Sequence, residues 1–60
     1  MKNDKMIFLC EKILEQARGD FRAALDAIDA SADSCFALGD RKHAEQFAAL
    51  ARFFVQYFGL

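Results

Sequence analysis

Apolar residues recur along the first two thirds of the chain at helical spacing and in a single phase. With Ile7 at heptad position a, the a and d sites are Ile7, Cys10, Leu14, Ala17, Phe21, Ala24, Ile28, Ser31, Cys35 and Leu38, all apolar except Ser31. The opposite stripe at position f, Lys5, Lys12, Gly19, Asp26, Asp33 and Asp40, carries no apolar side chain. Spacing of three and four residues marks a helix with one face turned inward, and no alternation of period two competes with it. The simplest prediction is one long helix over about 4–38.

Two stretches argue against an unbroken rod. Gly19 followed by Asp20 has the chemistry of a helix stop and a new start, because glycine adopts the left-handed cap conformation and aspartate accepts from free N–H groups. A break there gives three helices. Against it stand the heptad phase, which a tight reversal has no reason to preserve, and a cost of only about 1 kcal/mol for glycine on a solvated stripe. Asp29 to Ser34, rich in side chains that compete for backbone hydrogen bonds, marks a candidate hinge or kink.

The break at Gly39-Asp40 is firmer, because the apolar phase slips there. Ala44, Phe47, Ala51, Phe54 and Phe58 begin a new three-four series, and glycine and aspartate again supply a C-cap and an N-cap. A second principal helix is therefore predicted over about 41–58. The fold class is all-α, a single domain over 1–60. Its leading form is a helical hairpin with a long first helix, and its alternative is a three-helix bundle broken at Gly19-Asp20. In the first form an arm of roughly 50 Å is not covered by one of about 27 Å. The seam from Ile7 to Ala17 then calls for a second copy, and a symmetric dimeric bundle is expected; in the second form three helices of similar length can close a monomeric core.

The second helix carries more apolar surface than one core face needs. Phe47, Phe54 and Phe58 share its inner stripe, Ala48 and Val55 flank it on one side, Leu50 and Tyr57 flank it on the other, and Phe53 lies further round. This arc of about 200° exceeds the roughly 100° that a single face buries. Leu50, Phe53 and Tyr57 are the first candidates for partner contact, with Phe8 and Leu9 next, since aromatic anchors are enriched at interfaces. Burial in a dimer core and insertion into a membrane surface are the competing uses of the same arc.

Composition narrows the function classes. Sixty residues with 55% hydrophobic content, no proline and a net charge of −1 describe a folded domain whose own core is small. The balanced charge speaks against a dedicated basic nucleic-acid binder. No window approaches the roughly 18–20 apolar residues of a membrane span, and the run from Met6 to Cys10 is too short for a signal peptide, so a cytoplasmic protein is expected. Arg41, Lys42 and His43 form the one basic cluster, placed where a helix dipole disfavours cations. Pairing with Asp26, Asp29, Asp33 and Asp40 is its ordinary explanation. An anion or nucleic-acid contact, joined by Arg18, Arg22 and Arg52 and doubled in a dimer, is the sharper one. Cys10 and Cys35 read as small core residues. With His43 they lack metal-ligand spacing, so no metal, cofactor or catalytic role is expected.

Around its Gly-Asp pairs the chain resembles the helix-turn-helix of tetratricopeptide repeats, through Gly19, Asp20, Phe21, Ala24 and Leu25, and again Leu38, Gly39, Asp40 and Ala44. That resemblance implies protein binding. The two pairs stand 20 residues apart, whereas that family repeats every 34 or so. Size and hairpin form are also similar to the Rop family of RNA-binding dimers, in architecture alone. The expected function is a helical interaction module, an adaptor, regulator or inhibitor that presents aromatic surface to a larger protein and forms a homodimer.

Overall fold

Both Gly-Asp pairs break the helix. The computed structural model describes residues 4–60, and in it α1 spans Asp4–Gln16, α2 Phe21–Ala37 and α3 Arg41–Phe58. Met1 to Asn3, which open the N-terminal polar stretch, lie outside the described residues. The long first helix does not form, and its three-helix alternative does. The reason lies in residues 17–20: Arg18 and Gly19 both take left-handed backbone angles, with φ of 57° and 80°. Gly19 N–H donates to the Leu14 carbonyl at 2.9 Å, closing α1 with the wide bond of a Schellman turn. Asp20 then accepts from Ala23 N–H at 3.1 Å as the N-cap of α2. Local capping thus overrides the preserved heptad phase. Arg18 is the one described non-glycine residue with positive φ, a conformation that costs a side-chain-bearing residue about 1–2 kcal/mol.

The second turn repeats the device. Asp40 N–H donates to the Cys35 carbonyl at 2.8 Å across Gly39, whose φ is 80°. The Asp40 carboxylate caps α3 by accepting from His43 N–H at 3.1 Å. The predicted second helix over 41–58 is therefore present with both its ends as expected. No break appears at Asp29 to Ser34. α2 runs through it unbroken, and Ser31 returns its hydroxyl to the Ala27 carbonyl at 3.0 Å within the helix.

α2 and α3 are antiparallel, with Phe21 at the start of one against Phe58 at the end of the other. α2 and α3 pack along most of their length, while α1 touches each of them far less. Cys10, Ala24, Ile28, Leu50 and Phe54 form the buried core, with Met6, Ile13, Leu14, Leu25, Phe47 and Phe58 packed around it. Of the heptad sites, Cys10, Ala24 and Ile28 reach the interior, but Leu38 is 85% exposed because α2 ends one residue before it. At the end of the α2–α3 pair away from their connecting turn, Phe54 lies between rings. Its centroid is 4.7 Å from that of Phe58 and 6.5 Å from that of Phe21, both edge-to-face, and Phe21 meets Phe58 at 5.1 Å. Such contacts add about 0.5–1.5 kcal/mol per pair beyond area burial.

Phe54→Ala removes the largest fully buried side chain, at a cost of about 3–5 kcal/mol. A single core of this size supplies little more than that in total. The variant is expected to be largely unfolded at 25 °C, read as loss of the helical circular dichroism signal and of any cooperative melt.

Candidate interaction face

The wide apolar arc of α3 has a simple origin: two helices, not one, lie against it. α2 covers the side of Ala51 and Phe58, and α1, folded back by the turn at Arg18-Gly19, lies along the other flank. On that flank Gln46, Leu50, Phe53 and Tyr57 follow one another at intervals of three or four residues and so form one row. α1 contributes Met6, Leu9 and Ile13 opposite the N-terminal half of the row. Between the helices runs a groove of about 580 Å³ lined mainly by these apolar residues and by Phe47 and Leu50, with Lys5, His43 and Gln46 at its polar margin.

This geometry separates the expected contact residues. Leu50 is 6% exposed, so it is a core residue that floors the groove and no freestanding anchor. The return of α1 is what buries it. Phe53 is half-buried against the core and stacks on Tyr57, with centroids 5.8 Å apart and planes 11° from parallel. Tyr57 remains 44% exposed and Leu9 38%. These two flank the same face. Phe8 does not join them, because it points about 100° further round α1. It is 58% exposed, with the Lys12 ammonium 5.8 Å from its ring centroid. Met6, Ile13 and Phe47 belong to the face without having been singled out from the sequence. Their signal was the spacing of Met6, Leu9 and Ile13 along one side of α1, which becomes meaningful only once α1 lies beside α3.

The basic cluster is only partly accounted for by acidic neighbours. His43 Nδ1 lies 2.7 Å from Asp40 Oδ2, while Arg41 and Lys42 are exposed and enter no ion pair among the described residues. Of the other acids, Asp26 lies 3.8 Å from Arg22 at an open surface, where such a pair contributes little. The N-terminus of α3 is taken by the Asp40 carboxylate, which sits where an incoming phosphate would otherwise meet free N–H groups. Accepting bonds from the His43 backbone N–H and then its ring, Asp40 is held below the usual carboxylate value of 3.8. Arg18 lies in the first turn, and Arg52 borders a shallow depression of about 320 Å³ between α2 and α3 on another face. The basic residues therefore do not converge on one surface.

Both thiols are free, Cys10 fully buried and Cys35 half-buried. Burial, then the charge of Glu11, pushes the Cys10 thiol above its usual value. Among the described residues no group of three or more His, Cys, Asp or Glu side chains could hold a metal ion, and no helix is long and apolar enough to cross a membrane. Compared with protein-family models, curated proteins and solved structures, the chain matches none.

Two outcomes follow for the native protein. Iodoacetamide should alkylate Cys35 well before Cys10, with Cys10 reacting only as the fold opens, as mass spectrometry of a time course would resolve. The Asp40 cap should stabilise α3 fully above the ordinary carboxylate pKa and lose its effect as pH falls through the lowered value in the folded state. Thermal melts from about pH 7 down to about pH 2 should therefore show Asp40→Ala less stable than the parent at neutral pH and converging on it in acid.

Proposed function

We infer that this chain is a non-catalytic protein–protein interaction module that presents the α1/α3 face to a partner protein and also self-associates. The observation that carries the reading is the continuity of one apolar face. It starts in the groove beside Leu9 and Ile13 and runs along α3 through Phe53 to the exposed ring of Tyr57. Aromatic rings held in place by stacking lose little conformational freedom on binding, which makes them effective anchors. A groove between two helices suits an amphipathic helix of the partner, read through residues one turn apart. Two free thiols and the absence of a spanning helix among the described residues suit a role in the reducing cytoplasm. An anion or nucleic-acid contact through Arg41, Lys42 and His43 is the weaker reading, because Asp40 brings a negative charge into the middle of that cluster.

The test compares matched baits. Leu9→Glu and Tyr57→Glu place a charge on the face at side chains that are already partly exposed, while Phe36→Glu does the same at a 67% exposed site outside it. All three should keep the parent's helical signal. A protein retained by the parent and by Phe36→Glu should be lost, by tenfold or more, with Leu9→Glu and with Tyr57→Glu. Equal loss with all three, or equal retention, would refute the assignment of this face.

A further inference from the structure

The heptad phase of the first 38 residues is continuous, yet the chain folds back at residues 17–20. Ile7, Cys10 and Leu14 in α1, Ala17 in the turn and Phe21, Ala24 and Ile28 in α2 keep one register across a reversal that does not use it. Nothing in a tight reversal demands that agreement, since the turn's own geometry sets how α2 leaves it. A continuous helix does demand it. The turn is held by local backbone bonds and the Asp20 cap alone. It holds Arg18 at a φ of 57°, contains no proline, and has only Gly19 as a weak helix former between Ala17 and Asp20. Beyond it, α1 is the least engaged element of the bundle, with a groove left open along its contact with α3.

We propose that α1 exchanges between two copies of this chain. In the exchanged form residues 17–20 straighten, α1 and α2 join into one helix, and α1 of each copy fills on the other the site it now occupies on its own chain. Every buried contact of Cys10, Ile13 and Leu14 is then re-made across the dimer, so the exchange sacrifices no core packing. The i→i−4 bonds of a continuous helix replace the turn bonds from Gly19 N–H to Leu14 and from Asp20 N–H to Ala17. Arg18 leaves its left-handed conformation. Opposing the exchange are the Asp20 cap, the helix penalty of Gly19 and the entropy of bringing two chains together. The preserved phase keeps the apolar side of both halves of the joined helix on one line, as an exchanged helix needs in order to dock. This specifies the self-association in the function inferred above, and the second copy of α1 is the occupant of the α1 site.

Gly19→Ala disfavours the turn, where φ is 80°, and favours the continuous helix, while Asp20→Ala removes the cap that starts α2. With two turns per dimer, each substitution should raise the dimerisation constant, by about a thousandfold for Gly19→Ala. Light scattering across concentration reads the mass, and circular dichroism should show equal or greater helix content. In dimers mixed from isotope-labelled and unlabelled chains, filtered nuclear Overhauser effects should connect the Ile13 methyls of one chain to Leu50 of the other. Dimers with those contacts only within one chain would overturn the exchange and leave simple self-association standing. Two folded variants that gain no mass would overturn it, as would variants that unfold instead, since a released α1 must find its site on a second copy. A failed exchange leaves the α1/α3 face to the bait comparison, which does not depend on it.

Discussion

Packing at the end of the α2–α3 pair holds the rest of this small protein in place. Phe54 is fully buried and meets Phe21 from the start of α2 and Phe58 from its own helix, so one set of edge-to-face contacts ties the beginning of α2 to the end of α3. Rings joined in this way fix how the two helices lie against each other. α1 has no comparable anchor. It adds Cys10 to the interior and half-buried residues around it, and depends on a site that the other two helices have already formed.

That asymmetry accounts for the surface. A helix that packs fully would cover the flank of α3 and close the groove beside Leu9 and Leu50. α1 is only 13 residues long, and at the later part of the α3 row the Tyr57 ring, stacked on Phe53, stays 44% exposed. The stack of these two rings and the open groove are two parts of one consequence: too little helix to cover too much apolar surface.

Much of this was legible in the chain because it depends on local chemistry. The all-helical class follows from the three-four spacing, and α3 can be bounded at both ends from Asp40 and from the last inner-stripe residue, Phe58. The break at Gly19 was present as chemistry but was opposed by the register on either side of it. Periodicity sums weak preferences over many residues, whereas a Schellman turn and an aspartate cap satisfy several backbone groups at one place. The site was less legible. Tyr57 and Leu9 could be picked out as surplus apolar residues, but Leu50 could not be told from them, because its burial depends on α1.

The sequence by itself determined helix content, the two turn chemistries and the inner stripe of α3, each governed by residues within one or two turns of each other. Tertiary structure alone decided which of the surplus apolar residues become interior. Residues 40 positions apart, such as Cys10 and Leu50, share a core only after two reversals of the chain, and no local spacing encodes the angle at which α1 returns. The same limit applies to the heptad phase across Arg18-Gly19: visible in the sequence as one helix, it is divided between two because backbone groups at the turn are satisfied within a few residues, while contacts far along the chain are reached only at the entropy cost of closing a loop.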